Sequence, residues 1–143
     1  MTGSAWVVSR DGSHVLLLRH RKLGAWLQPG GHADGECDTA AVAWREAVEE
    51  SGLESLAFAE WARDWASGVP PFDVDVHTIP PRGDDPEHLH LDIRFLLVAD
   101  RGEPPRPSSE AEEARWVAVE EIATLSVEPS LLRMAARARL LLC

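Results

Sequence analysis

Three glutamates in the first third of the chain have the spacing and the chemistry of a metal site. Glu46, Glu49 and Glu50 stand three and four residues apart, so an α-helix gathers their carboxylates on one face. Three crowded negative charges destabilise such a helix, and a divalent cation removes the repulsion. Clustered carboxylates are ligands of hard cations such as Mg²⁺, whose shell is usually completed by water and substrate phosphates. The spacing therefore indicates metal-assisted chemistry on a phosphate compound.

The residues around these glutamates predict an amphipathic helix. Asp38 or Thr39 can cap its start, and Gly52 suits a left-handed residue at its end. Two glycines at residues 30–31 precede it, and they permit close approach of the backbone to a ligand or metal. An acidic, solvated helix face is the alternative, and the loop and caps argue against it. The apolar residues at helical spacing are Ala40, Ala41, Trp44, Ala47 and Val48.

The stretch from Gly31 to Leu53 resembles the Nudix box. The residues in register with that motif are Gly31, Arg45, Glu46, Ala47, Glu49, Glu50, Gly52 and Leu53. The resemblance implies that Glu46, Glu49 and Glu50 hold the metal, with Glu49 and Glu50 indispensable. It also implies that the backbone carbonyl of Gly31 is a further ligand, and that Arg45 pairs with a carboxylate of the box and fixes its rotamer.

One position departs from the motif. Cys37 stands where the family has its first glutamate, and an acid occurs one place earlier, at Glu36. We expect Glu36 to do the work of the loop glutamate. A nucleophilic Cys37 is the alternative, but a metal-activated water needs no covalent intermediate, and no obvious base lies near Cys37 in the sequence.

The remaining pattern is that of one α+β domain over residues 1–143. It predicts a hairpin at residues 5–8 and 14–18, strands at 56–59, 72–79, 88–99 and 114–119, and a closing helix at about 131–141. The segment 61–68 is ambiguous, and Trp61 or Trp65 within it could stack on a base. The family resemblance sharpens α+β to a Nudix-type α/β/α sandwich around a mixed β-sheet.

Residues 88–95 alternate polar and apolar side chains, which is typical of a half-buried strand. Leu89, Leu91, Ile93 and Phe95 are expected to face the core, which leaves His88, His90, Asp92 and Arg94 in a row on the other face. We predict that His88, His90 and Arg94 line the substrate groove. A His-x-His pair beside a carboxylate could also hold Zn²⁺, but no third ligand has a recognisable spacing.

Two further candidates lie outside the box and this strand. Arg21 belongs to a basic cluster with Arg19 and Lys22 that could meet substrate phosphate, since the loop after it leads into the box. Glu110, just before a predicted strand, is one more candidate acid.

Composition excludes several partners. A net charge of −10 and a pI near 4.9 argue against a nucleic-acid polymer, whose binding needs clustered Lys and Arg. The two cysteines, Cys37 and Cys143, have no metal-ligand or redox spacing, so we expect reduced thiols. No apolar stretch has the length of a membrane span, and residues 1–4 lack the features of a signal peptide, so the expected compartment is the cytoplasm, without a membrane partner.

The resemblance implies hydrolysis of a diphosphate linked to another moiety, usually a nucleoside, with Mg²⁺ or Mn²⁺ activating the attacking water. The partner would be a small phosphate-containing substrate, and a homodimer is left open. Three alternatives remain: a non-catalytic module that binds nucleotide or ADP-ribose, an isomerase of an isoprenoid diphosphate, and a purely structural protein. The complete glutamate trio disfavours the first and the last, and the second needs a catalytic cysteine within its own motif.

Overall fold

The computed structural model describes residues 1–63, 68–125 and 128–142. The strands are β1 (Thr2–Ser9), β2 (His14–His20), β3 (Trp26–Leu27), β4 (Gly30–His32), β5 (Leu56–Phe58), β6 (Asp73–Ile79), β7 (His88–Ala99) and β8 (Ala111–Ala118). The helices are α1 (Thr39–Ser51), α2 (Glu60–Arg63), α3 (Ile122–Leu125) and α4 (Pro129–Leu142), with a 3₁₀ turn at Val119–Glu121. None of the described helices is long and apolar enough to cross a membrane.

Strand β1 lies in the middle of a mixed β-sheet, and the strands on one side of β1 separate from each other. It runs parallel to β7 along its whole length, from Thr2 opposite Asp92 to Ser9 opposite Ala99. On its other side β4 pairs antiparallel with residues 2–4, whereas β2 meets β1 at Val8. Strands β5 and β6 extend the sheet beyond β7, while β3 and β8 extend it beyond β2. The β2 half of the sheet therefore diverges from the β4 edge, and a space is left between them.

Alternate side chains of β1 face two different hydrophobic layers. Trp6 and Val8 belong to the cluster that contains Met134 of α4, while Ala5 and Val7 belong to the cluster that contains Ala43 of α1. Because successive residues of a strand point to opposite faces, the sheet is covered by α1 on one side and by α4 on the other. This is the α/β/α sandwich that the sequence predicted.

Helix α1 has the ends that the sequence indicated. Its first turn is capped by Asp38, whose Oδ1 accepts a hydrogen bond from the backbone N–H of Ala41 at 3.0 Å. It ends at Gly52, which adopts φ 68° and donates its N–H to the carbonyl of Val48. Gly3 of β1 lets the helix lie against the sheet, because a Cβ at that position would collide with the carbonyl oxygen of Thr39.

The first half of β7 corrects the prediction of which face is buried. Leu89 is 69% exposed, whereas Asp92 and Arg94 are only 6% and 5% exposed. The expectation that Leu89 faces the core and Arg94 an open groove is therefore wrong. The alternation of polar and apolar residues along β7 showed that the strand has two distinct faces. It did not show that charged groups of other elements would cover the polar face.

Those charged groups form a network of ion pairs that joins β6, β7 and α4. Arg94 donates to Asp92 at 2.7 Å and to Asp73 at 3.3 Å. From α4, Arg133 and Arg137 reach the same Asp73 at 2.7 Å and 2.6 Å. Burial of Arg94 is possible because these carboxylates surround its guanidinium, and α4 in turn supplies the charge that balances them.

Candidate functional site

A cavity of about 460 Å³ occupies the space where the two halves of the sheet diverge. It has the size of a small-molecule site, and both polar and apolar side chains contribute to its wall. The lining residues are Thr2, Ser4, Leu18, His20, Leu27, Gln28, Gly30, Gly31, His32, Asp34, Glu46, Glu50, Asp92, Glu110 and Ala111.

Two glutamates of α1 enter this cavity against the glycines of β4. A Cβ added to Gly31 would lie 2.5 Å from the carboxyl carbon of Glu46, so only glycine allows that approach. The backbone N–H of Gly30 lies near the carboxyl group of Glu50 and lowers its pKa, against the larger effect of burial. The Pro-Gly-Gly turn and the helix therefore bring Glu46, Glu50 and the Gly31 backbone into one site.

The electrostatics of this site show an excess of negative charge. Burial raises the pKa of Glu50 to about 8, and the neighbouring carboxylates of Glu46 and Glu110 raise it as well. Glu46 therefore lies close enough to Glu50 for its carboxyl group to favour the protonated form of Glu50. Without a cation, the site thus lowers its charge by binding a proton.

These residues fit a hard divalent cation. Carboxylate and backbone carbonyl oxygens are its preferred protein ligands, and a cation would offset the negative charge that raises the pKa of Glu50. Within the described residues, no three Asp, Glu, His or Cys side chains are grouped as a complete metal site. Water and substrate oxygens would therefore have to complete the shell, as is usual for Mg²⁺.

Glu49 and Arg45 lie on the exposed side of α1. Glu49 is exposed and does not line the cavity, so its role as an indispensable ligand stays a prediction. Arg45 is also exposed, and it forms no ion pair with any acid in the described part of the chain. The expected pairing of Arg45 with a box carboxylate is therefore not seen among the described residues, and its role stays a prediction.

Arg21 is placed to hold the loop that carries Glu110. Its Nε donates to the carbonyl of Ser109 at 3.1 Å, and its Nη2 donates to the carbonyl of Ala111 at 3.3 Å. Its backbone N–H donates to the carbonyl of Glu110 itself. Glu110, at the start of β8, is thereby fixed at the rim of the cavity. A direct contact between Arg21 and substrate stays a prediction.

The residues at the departure from the motif lie outside the cavity lining. Glu36 is exposed, and its carboxylate accepts from the backbone N–H of Asp38 at 3.2 Å. Cys37 is an exposed free thiol beside the start of α1. Glu36 therefore supports the loop before the helix, and its proposed role in activity stays untested. Two residues named in the predictions, Trp65 and Cys143, lie outside the described residues.

The histidines of β7 differ in their surroundings. His88 is exposed and bonds to the carbonyl of Pro86. His90 is half-buried, with its ring centroid 4.8 Å from that of His77 and 6.1 Å from that of His32. Burial lowers the pKa of His90, and the rings of His77 and His32 lower it further. His32 lines the cavity, so His90 lies next to the wall, and its contact with substrate stays a prediction.

The sequence prediction missed a polar part of the wall formed by Thr2, Ser4 and Asp92. The hydroxyls of Thr2 and Ser4 each donate to Oδ1 of Asp92 at 2.7 Å. The sequence predicted the first strand from its apolar run, which begins after Thr2 and Ser4. The parallel pairing of β1 with β7 brings these residues to Asp92, and no local sequence pattern indicates that pairing. The one available signal was that polar residues occupy positions 2 and 4, on alternate positions just before the apolar run of the first strand.

Comparisons with known proteins show which sequences and folds this chain is similar to. The sequence model described as NUDIX domain matches residues 2–138. A Mycobacterium tuberculosis protein provisionally named 8-oxo-dGTP diphosphatase 3 is 33% identical over 126 residues, which cover 83% of this chain and 51% of that protein. A Streptomyces rubellomurinus protein named CMP-5'-(N-acetyl-N-hydroxy-3-aminopropyl)phosphonate hydrolase is 32% identical over 132 residues, 86% of this chain and 54% of that protein. The chain thus spans about half the length of these relatives.

A solved structure is similar over nearly the full fold. The crystal structure of a NUDIX family hydrolase from Clostridium perfringens superposes with a TM-score of 0.73 at 22% identity. The superposition covers 98% of this chain and 96% of that one. At this identity the likeness concerns the fold, and it extends to the sandwich of α1, the mixed sheet and α4.

Proposed function

The chain belongs to the NUDIX domain family, and from this premise we propose that it hydrolyses a diphosphate linkage in a nucleotide with the help of a divalent cation. The two curated relatives carry names of a nucleotide diphosphatase and of a hydrolase of a CMP-linked phosphonate. Both names describe hydrolysis of a nucleotide compound. The proposal extends that class to this chain, without choosing the base or the second moiety.

The observation that carries the proposal is the acidic group inside the cavity. Glu46, Glu50 and Glu110 crowd negative charge beside the Gly31 backbone, and the pKa of Glu50 rises to about 8 because of burial and these neighbours. A purely structural site would not keep such repulsion. Mg²⁺ or Mn²⁺ is the cation that oxygen ligands of this kind favour. Such a cation, when bound, polarises phosphoryl oxygens and lowers the pKa of a bound water.

The protein's own residues supply the positioning. Glu46 and Glu50 offer carboxylate oxygens from successive turns of α1, a rigid element packed against the sheet. The N–H of Gly30 favours the charged form of Glu50, and the missing side chain of Gly31 allows Glu46 to reach the β4 backbone. Arg21 restrains the loop that brings Glu110 to the same cavity. Together they fix where phosphate oxygens and the attacking water would sit.

The test is a substrate panel assayed with the purified protein in Mg²⁺, in Mn²⁺ and in a chelator. The panel contains nucleoside triphosphates, dinucleoside polyphosphates, nucleoside diphosphate sugars, ADP-ribose and an isoprenoid diphosphate. We expect cation-dependent release of a nucleotide product from at least one nucleotide compound. Binding of ADP-ribose or nucleotide without turnover would instead indicate a non-catalytic module. Isomerisation of the isoprenoid diphosphate without phosphate release would indicate an isomerase.

A further inference from the structure

The part of the cavity wall formed by Thr2, Ser4 and Asp92, which we call the acceptor patch, is distinct in chemistry from the glutamate group. All three residues are more than nine-tenths buried, with exposures of 8%, 4% and 6%, yet all three line the cavity. They come from the first residues of β1 and from the parallel partner strand β7. The patch is therefore built into the central strands and not into a loop.

Both hydroxyl protons of the acceptor patch are already used. Thr2 and Ser4 each have one O–H, and each donates it to Oδ1 of Asp92 at 2.7 Å. The contact of 3.2 Å between Thr2 Oγ1 and His90 Nε2 can then be a hydrogen bond only if Nε2 carries a proton. In the described residues, no donor is directed at Ser4 Oγ. The patch consequently offers lone pairs to the cavity and no hydrogen.

Arg94 keeps Asp92 in this arrangement. Its Nε donates to Oδ2 of Asp92 at 2.7 Å, and its other nitrogens contact Asp73 at 3.3 Å and Asp75 at 3.7 Å. Arg94 thus lies between three carboxylates, and turning toward the cavity would leave Asp92 without an arginine partner in the described part of the chain. It acts as a positioning residue for Asp92, which fixes the hydroxyls of Thr2 and Ser4 in turn.

A surface of this kind rejects some parts of a nucleotide and suits others. Phosphate oxygens are acceptors with negative charge, so they would meet lone pairs and a carboxylate at the patch and gain no hydrogen bond. Amino, imino and hydroxyl groups carry the donors that the patch lacks. A site whose polar groups are left unpaired by the wrong substrate discriminates strongly against it.

We propose that the acceptor patch binds N–H or O–H donors of the nucleoside part of the substrate and so selects which nucleotides are hydrolysed. This inference rests on the proposed hydrolase function. It adds that the nucleoside part of the substrate must present a hydrogen-bond donor to the patch. The donors can come from the edge of the base or from the sugar, and the experiment separates these two sources.

The experiment compares matched substrates that differ in one donor. ATP and purine riboside triphosphate differ at the 6-amino group, GTP and ITP differ at the 2-amino group, and each ribonucleotide differs from its 2'-deoxy form by one hydroxyl. We expect wild-type protein to prefer the donor-bearing member of at least one pair in kcat/KM. Ser4→Ala and Thr2→Val should reduce that preference by about tenfold, the scale of one lost hydrogen bond. If the variants change the preference only between substrates that differ in the base, the patch contacts the base. If they change it only between ribonucleotides and their 2'-deoxy forms, the patch contacts the sugar.

The control is Ser130→Ala, which removes the hydroxyl of an equally buried serine, 4% exposed, in α4 and away from the cavity lining. It should leave every substrate ratio at the wild-type value. The proposal is overturned if wild-type protein shows no preference in any pair, or if both patch variants keep the wild-type ratios. It is also overturned if the variants slow both members equally, because the patch would then act on the cation or the fold. Absence of hydrolysis of every substrate by wild-type protein would refute the hydrolase function itself.

Discussion

Glu50 destabilises the metal-free protein, and that effect gives the site a measurable pH signature. Burial and the charges of Glu46 and Glu110 raise its pKa from 4.5 to about 8. Between these values the folded protein holds a proton that the unfolded chain has released. Stability without metal should therefore fall as pH rises from about 4.5 to about 8.

Glu50→Gln removes the charge and keeps the size of the side chain. In a chelator at pH 9 we expect this variant to melt roughly 2–6 °C above wild-type protein, because the repulsion is gone. Its melting temperature should also change less between pH 5 and pH 9. Scanning calorimetry at the two pH values measures both effects, with the exposed Glu87→Gln as the matched control. An unchanged pH slope in Glu50→Gln would show that this carboxyl is not the group under strain.

Gly31 is the residue whose lack of a side chain matters most for the site. A Cβ there would lie 2.5 Å from the carboxyl carbon of Glu46, so Gly31→Ala must displace that glutamate. Because small displacements of positioning groups are costly to rates, we expect kcat/KM to fall about 100-fold. Gly102→Ala is the control, since no atom lies within 4 Å of the position of its added Cβ. Steady-state kinetics with folding checked by circular dichroism would decide, and near-normal activity of Gly31→Ala would show that Glu46 need not approach the β4 backbone.

At the scale of elements, α4 is tied to the sheet by charge as well as by its apolar face. Asp73 of β6 is 3% exposed, and it accepts from Arg94, Arg133 and Arg137. Asp73→Asn removes the charge and leaves the arginines without their shared partner. Breaking a buried ion pair in this way costs about 3 kcal/mol of unfolding free energy.

Urea unfolding measures that loss, and the exposed Asp84→Asn provides the control. A loss below about 1 kcal/mol would mean that the network contributes little to stability, as exposed ion pairs do. Arg94 also holds Asp92, so the same variant is expected to disturb the cavity wall. Its kcat/KM should fall even at temperatures where the protein is fully folded.

The elements that local signals define were predictable from the sequence. Helix α1 has apolar periodicity, a capping Asp38 and a terminal Gly52, and all of these are properties of neighbouring residues. The convergence of Glu46 and Glu50 follows from helical spacing alone. The sequence also identified Glu110, but only as a further acid without a place in the site.

The parts that depend on contacts distant in sequence were not predictable. The burial of Arg94 depends on Asp73 and on residues of α4, and no local pattern announces such a partner. Thr2 and Ser4 reach the cavity because β1 runs parallel to β7, a register that the sequence does not specify. For Arg45, the motif suggested a partner, but the side chain is exposed and forms no ion pair within the described residues.

At the scale of the whole molecule, the charge is −10, and part of this excess lies within one cavity. If the proposed function is right, the metal-free site repels an anionic nucleotide, and a bound cation would offset that charge. We expect nucleotide affinity, measured by calorimetry on wild-type protein, to be at least tenfold weaker in chelator than in Mg²⁺. Equal affinity in both conditions would mean that the nucleotide binds through groups other than the glutamates.

On the proposed function, Glu46 and Glu50 would hold a divalent cation, which would supply an activated water for attack on phosphorus. The most direct measurement is turnover of the identified substrate in ¹⁸O-labelled water with Mg²⁺, for wild-type protein, Glu46→Gln, Glu50→Gln and the control Glu87→Gln. We expect one labelled oxygen on a phosphorus of the product, normal turnover in the control, and a fall of at least about 100-fold in the two site variants. Full turnover by Glu50→Gln, or a product without label on phosphorus, would contradict this proposal.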